Sequence, residues 1–169
     1  MEPEIARKLI KDGISRFPEG QIWADLGAGG GLFTRTLFAL LPPSSIVYAV
    51  DKEPPSFQTV DKRIHKVVSD FVTDNLDLPT LDGVLMANSL HYVEAKKPFL
   101  IKLREMMKPD GRLIFVEYDR QNANSWVPFP MPFADLTRVA AELSVKRVTK
   151  LAEHPSQYGG NLYSALVVL

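Results

Sequence analysis

The sequence predicts an α/β fold: a doubly wound, mostly parallel seven-stranded sheet with helices on both faces and an antiparallel C-terminal hairpin. Three observations carry that reading. Short runs rich in β-branched and apolar residues alternate with helical segments along the chain. A glycine cluster separates the first strand from the helix after it. The last two strand-like runs have no helix between them, so they should pair antiparallel.

The elements follow in order. Pro3 to Phe17 reads as an amphipathic helix with Ile5, Leu9, Ile10 and Ile14 on one side, broken by Pro18-Glu19-Gly20. Gln21 to Leu26 is a strand, and the glycines lead into a helix from Leu32 to Leu41 that Pro42-Pro43 stops. Ser45 to Val50 is the second strand. Pro54-Pro55 opens a short helical or irregular piece, and Arg63 to Ser69 is the third strand. Leu81 to Ala87 is the fourth. A helix from Lys97 to Met107 places Phe99, Leu103 and Met106 on one face, and Pro109-Asp110-Gly111 turns the chain into a fifth strand, Arg112 to Glu117. Ala134 to Leu143 is helical. Val145 to Glu153 and Leu162 to Leu169 form the closing hairpin around a turn-rich Pro155 to Gly160. The five earlier strands are expected to be joined by helical crossovers. The one long connection, Tyr118 to Pro132, is of a length uncommon unless functional or mobile.

The chain has 169 residues, which suits a single domain spanning 1–169, with an N-terminal helix inside 1–19 and a possible substrate-side loop at 118–132. Zero cysteines exclude disulfides, thiolate metal sites, iron–sulfur clusters and a thiol nucleophile. Twenty Lys and Arg balance twenty Asp and Glu, which disfavours a protein built to hold nucleic acid by its phosphates. No apolar run approaches the roughly 18 residues of a membrane span, and the start MEPEIARKLIKD is not signal-like. The expectation is a cytoplasmic protein without membrane contact.

Chemistry concentrates at the strand ends. Asp25-Leu26-Gly27-Ala28-Gly29-Gly30-Gly31 lies between a strand and a helix, where open α/β sheets bind ligands near the switch in strand order. Glycines there let backbone come close to a ligand, or else merely make a tight turn. A dinucleotide fingerprint wants the register GxGxxG. Counted from Gly27 it meets Leu32, and counted from Gly29 it meets Thr34, so a nicotinamide-dependent oxidoreductase fits imperfectly in both frames. Asp51 ends the second strand, where a carboxylate can accept both hydroxyls of a ribose; its alternative is a solvated partner of Lys52.

The run Asp25 to Gly31 resembles the first motif of the seven-stranded, Rossmann-like S-adenosylmethionine-dependent methyltransferases, D/E-x-G-x-G-x-G, at every fixed position. The resemblance covers nearly the whole chain and also accounts for an antiparallel seventh strand. It implies S-adenosyl-L-methionine as cofactor, with Asp25, Gly27, Ala28, Gly29 and Gly31 holding its methionine portion and Asp51 its ribose. By the same resemblance Lys52 flanks the adenine. Asp70 accepts the adenine amine and Phe71 packs beside it, unless Asp70 only caps a helix. Asn88 leaves the fourth strand where cofactor and acceptor meet. Family members that methylate base or glutamine amines carry two prolines after this position, which Ser89-Leu90 lacks; Leu90-His91-Tyr92 looks instead like the run of small-molecule members.

His91 is the candidate catalytic residue, a general base whose usual pKa near 6.5 suits neutral pH, or a histidine that only shapes the pocket. No metal site is expected: Asn88, Glu117, Asp119 and Asn122 are the candidate magnesium ligands, and their spacing does not compel one. Trp126, Phe129 and Met131 in the long loop line an acceptor pocket, pack as a small core or face a partner. The implied function is methyl transfer to a small-molecule acceptor. A noncatalytic cofactor-binding module and the nicotinamide enzyme stand as alternatives, and the chain's shortness leaves room for a homodimer that completes the pocket.

Overall fold

The computed structural model describes residues 1–14, 19–59 and 61–169. Its sheet has seven strands in the order β3-β2-β1-β4-β5-β7-β6. In chain order these are β1 (Ile22–Leu26), β2 (Ile46–Asp51), β3 (Ile64–Val68), β4 (Leu81–Ala87), β5 (Met107–Tyr118), β6 (Arg147–Pro155) and β7 (Asn161–Val168). The first five run parallel, while β7 is antiparallel to both β5 and β6, as the hairpin predicted. Strand order reverses between β1 and β4, and that switch point is where a ligand crevice opens.

Among the described residues four α-helices cover the sheet: α1 (Pro3–Ile10), α2 (Leu32–Leu40), α3 (Lys96–Glu105) and α4 (Phe133–Glu142). Alternation along the strands divides the core. Trp23, Leu85, Ile114 and Val116 pack with Leu9, Ile10 and Leu37 of α1 and α2. Ala24, Leu26, Leu113 and Phe115 pack with Phe99, Leu103 and Leu136 of α3 and α4. Trp23 lies flat over Gly83 of β4, so that a side chain there would strike its indole.

Three expectations are corrected. The first helix ends at Ile10 and tightens into a 3₁₀ turn, Lys11–Gly13, rather than continuing to 17. Gly13 lies where a Cβ would press on Ile114, and Ile14 is already extended, so the helix has ended by that residue. The Phe17 end and the Pro18 break fall outside the described residues. Second, the links from β2 to β3 and from β3 to β4 carry no helix among the described residues. Pro54 and Pro55 lack the N–H groups a helix needs, and Phe57 covers the sheet instead, packed on Ala28, Ala49 and Ile64. Leu76 and Leu78 do the same for the second link. Third, α3 stops at Glu105, and β5 begins at Met107, with Asp110 at φ 65° making the expected turn as a break within the strand.

Candidate functional site

The crevice is built from the carboxyl ends of β1, β2, β4 and β5. After β1 the chain enters the glycine loop, where Gly27 and Ala28 both donate to the Val50 carbonyl, at 2.8 and 3.1 Å. Gly31, at φ 74°, caps α2, and a Cβ there would enter the Phe57 ring. Gly29, at φ 46°, has no atom within 4 Å of a would-be Cβ, and neither has Gly30. The loop therefore closes on protein at one end and opens on free space in its middle.

Asp51 braces this loop. Its Oδ2 accepts the Gly29 N–H at 2.8 Å and its Oδ1 the Glu53 N–H at 3.2 Å. The pairing with Lys52 considered from the sequence is not formed, and Lys52 is exposed. Asp25 lies beneath the loop, fully buried, with Oδ2 accepting the Thr34 hydroxyl at 2.6 Å and Oδ1 without a partner. Burial, and secondarily the charge of Asp51, raises its pKa to about 7 against the lowering effect of Thr34. Ala28 turns its methyl into the small cluster around Phe57 rather than into the crevice.

Asp70 follows β3. Its carboxylate accepts the Val72 N–H at 2.9 Å, while its carbonyl accepts the Asp74 N–H at 2.8 Å. That is a turn, not a helix cap. Phe71 is buried, its ring 6.0 Å from that of Phe99 and close to Gly27, so it floors the crevice instead of standing free in it. Asn88 ends β4 at φ 54°, unusual for a residue with a side chain, and its Oδ1 is buried without a partner. Next to it Ser89 donates to the Leu26 carbonyl at 2.5 Å, tying β4 to β1.

His91 sits in a one-turn 3₁₀ helix, Leu90–Tyr92, and is 2% exposed. Its Nδ1 is 2.8 Å from Oε2 of Glu117, and its backbone N–H reaches Oε1 at 3.3 Å. Glu117 ends β5 on the face of Leu113 and Phe115, wholly buried. A carboxylate acceptor there assigns the ring proton to Nδ1 and leaves Nε2 with its lone pair. The same charge, after burial itself, raises the pKa of Tyr118 and Tyr163, keeping both phenols protonated. His91 lines a cavity of about 360 Å³ with Asn88, Tyr92, Tyr118 and Trp126.

The long loop folds over this cavity. Phe129 donates to the His91 carbonyl at 3.0 Å and accepts from Lys96 at 2.8 Å, while Lys96 also reaches the Val93 carbonyl. Asn124 caps the Trp126 and Val127 N–H groups at 3.0 and 2.7 Å. Val127 and Met131 are buried and Trp126 is 79% exposed, so the loop packs at its base and presents an indole at its rim. Asp119 spends its carboxylate on the Phe133 N–H at 3.0 Å, at the start of α4, and Glu117 is engaged with His91. Among the described residues no three histidines or acids gather as metal ligands.

In the sequence Glu117 stands out only beside the candidate metal ligands, although an acid ending the strand next to the one that leads to His91 is a readable signal. The sequence pattern misses Lys96 and Tyr158, which only tertiary packing brings to the site.

Residues 24–113 match the family model of a methyltransferase domain. The chain belongs to that methyltransferase family. The matched stretch runs from β1 through the glycine loop, Asp51, Asp70, Asn88 and His91 into β5, and stops short of Glu117. A curated relative, the mitochondrial ubiquinone biosynthesis O-methyltransferase of Schizosaccharomyces pombe, is 30% identical over 107 residues, 57% of this chain. The chain spans 37% of that relative's length. Among solved structures, a SAM dependent methyltransferase from Aquifex aeolicus aligns over 99% of this chain and 98% of its own, with TM-score 0.67 and 17% identity. Human N-acetylserotonin methyltransferase in complex with SAM aligns over 97% of this chain and 51% of its own, with TM-score 0.67 and 16% identity. At those identities the likeness speaks for the fold, which this methyltransferase-family chain shares with both.

Proposed function

We propose that the chain is an S-adenosylmethionine-dependent methyltransferase that methylates a hydroxyl oxygen of a small molecule. The observation that carries the reading is the buried His91–Glu117 pair, with Nε2 unspent on the wall of an aromatic-lined cavity next to Asn88. A hydroxyl is a poor nucleophile until it loses its proton, and a carboxylate-backed imidazole is the group to take it.

The crevice fits the cofactor. Open space over Gly29 and Gly30 admits a ligand against backbone, and the unpartnered Asn88 oxygen is an acceptor in need of a donor such as an ammonium group. In this reading the loop from Gly27 through Ala28 and Gly29 to Gly31 holds the methionine portion, with Asp25 acting from beneath. Asp51 takes the ribose, Lys52, Asp70 and Phe71 bracket the adenine, and Asn88 meets the amine. Bound there, S-adenosylmethionine supplies a methyl group on a sulfonium, already activated toward attack.

The protein's own residues do the remainder. His91 removes the acceptor's proton at Nε2, and Glu117 stabilises the imidazolium that results. Tyr92, Tyr118 and Trp126 orient the acceptor, and the loop held by Lys96 and Phe129 excludes water. The proton leaves to solvent after transfer. Calorimetry with S-adenosylmethionine, S-adenosylhomocysteine and NAD tests the reading: micromolar binding of the adenosyl compounds and none of NAD is expected. NAD binding alone would overturn it.

A further inference from the structure

The long connection between β5 and α4 is tied down at few points. Its ends are fixed: the Asp119 N–H donates to the Asn161 carbonyl at 2.9 Å, and the Tyr163 phenol to the Met131 carbonyl at 2.6 Å. Between them, among the described residues, the stretch 121–130 meets other elements by hydrogen bond at Phe129 alone. Pro128 and Pro130 flank it and bring no N–H of their own. The Phe129 N–H reaches the His91 carbonyl at 3.0 Å, and its carbonyl accepts from Lys96 Nζ at 2.8 Å. Lys96 also donates to the Val93 carbonyl, just beyond the turn that carries His91, and its Nζ lies 5.7 Å from the centre of the Phe129 ring. Asn124, Trp126 and Val127 of the same stretch line the His91 cavity. One wall of that cavity therefore stands where one lysine and one backbone amide hold it.

The place is unfavourable for a cation in two ways. Lys96 opens α3, whose first turn holds no acid, so the ammonium opposes the helix dipole. Burial lowers its pKa to about 8, with the Glu117 charge acting the other way. The two carbonyls and the Phe129 ring are what a charge there serves. We propose that Lys96 is a positioning residue of the transfer site: its ammonium fastens the loop wall to the turn bearing His91, and loss of its proton loosens that wall. The inference deepens the methyl-transfer reading above and rests on it. The stretch 121–130 carries no ionisable side chain, so its own residues cannot titrate the attachment. Around Lys96 stand His91 and Tyr92 on the turn, Glu117 on β5, and Glu94 and Lys97 beside it in the chain. Lys97 is engaged with Glu142 at 2.9 Å, and Glu117 is the charge that acts on Lys96.

Hydrogen exchange of the segment 118–132, read by mass spectrometry on the full chain without ligand, tests it. After correction for intrinsic exchange, the wild type should lose about five- to ten-fold protection there between pH 6.5 and 9. Lys96→Arg keeps its charge over that range and should stay protected, whereas Lys96→Met should exchange fast already at pH 6.5. With catechol as acceptor and product mass as the readout, Lys96→Met should raise KM for catechol about ten-fold. KM for S-adenosylmethionine should stay within about two-fold, and Lys96→Arg should restore the catechol value. Lys97→Met, one position on, is the control expected to change neither exchange nor KM. Protection that is the same in wild type and Lys96→Arg at both pH values overturns the proposal, as does a Lys96→Met variant whose two KM values rise together. The wild-type pH series needs no substitution, so it decides even where a variant fails to fold. Failure of the wild type to bind S-adenosylmethionine or to methylate catechol counts instead against the methyl-transfer reading, and leaves the exchange test of the loop standing.

Discussion

Glu117 grips His91 at two points, one carboxylate oxygen 2.8 Å from the ring Nδ1 and the other 3.3 Å from the backbone nitrogen. The side chain that sets the tautomer therefore also fixes the 3₁₀ turn carrying the ring. A residue held this way is positioned in both angle and depth, which proton transfer over hydrogen-bond distance requires. His91→Ala should lower kcat about 10²–10⁴-fold. Glu117→Gln should also lower kcat, because an amide can still meet the ring but does not stabilise an imidazolium. Steady-state kinetics checks both, and calorimetry should show S-adenosylmethionine bound within about two-fold of wild type in His91→Ala.

Asp51 reaches from the end of β2 to the Gly29 N–H. Asp51→Ala should weaken S-adenosylmethionine binding about 10–100-fold, the loss expected when a charge-assisted hydrogen-bonding group is removed from a ligand site. Asp51→Asn, which can still accept from Gly29, should lose less. Calorimetric titration of the two variants separates support of the loop from contact with the ligand.

The buried carboxyl of Asp25 makes stability depend on pH. An ordinary aspartate titrates near 3.8 and this one near 7, so between those values the native state keeps a proton the unfolded chain has lost. Stability must then fall as pH rises from about 4 to 7 and level off above it, by about 4 kcal/mol on this group alone. Asp25→Asn stays neutral and can still accept from Thr34, so it should remove that slope. Urea denaturation from pH 4.5 to 8.5 on both proteins measures it.

Gly30 and Gly31 are neighbours with opposite expectations. At Gly31 φ is 74° and a Cβ would strike the Phe57 ring, so Gly31→Ala should destabilise the fold by about 1–3 kcal/mol. At Gly30 a Cβ meets nothing within 4 Å. Gly30→Ala should melt near the wild-type temperature while weakening S-adenosylmethionine binding, because its methyl points into the space the ligand needs. Thermal melts with and without the cofactor distinguish the two.

What was legible in the sequence follows from range of interaction. Strand runs such as Ile46–Asp51 and the turn glycines are local signals, and so was the hairpin, since the absence of a helix between two strands forces antiparallel pairing. Leu32 and Thr34 broke the dinucleotide register, and the matching family is a methyltransferase one. The covering of β2 and β3 was illegible because a single buried phenylalanine, Phe57, replaces a helix, and no periodicity announces one residue. The loop at 118–132 was legible as unusual but not as anchored, because its anchors, the His91 carbonyl and Lys96, lie some thirty positions earlier in the chain. Partnerships of that separation depend on the sheet order that brings β4 beside β5.

The placement of β7 between β5 and β6 has a consequence for synthesis on the ribosome. β6 is made first, yet among the described residues its sole sheet partner is β7. Until Asn161–Val168 has emerged, β5 is an open edge and β6 has nothing to pair with. In the sheet, β5 and β6 are joined only through β7, so the two closing strands depend on each other for their place. Loss of β7 alone would strip both from the sheet and expose the β5 edge to other chains, the kind of lesion that leads to aggregation rather than to a smaller working protein.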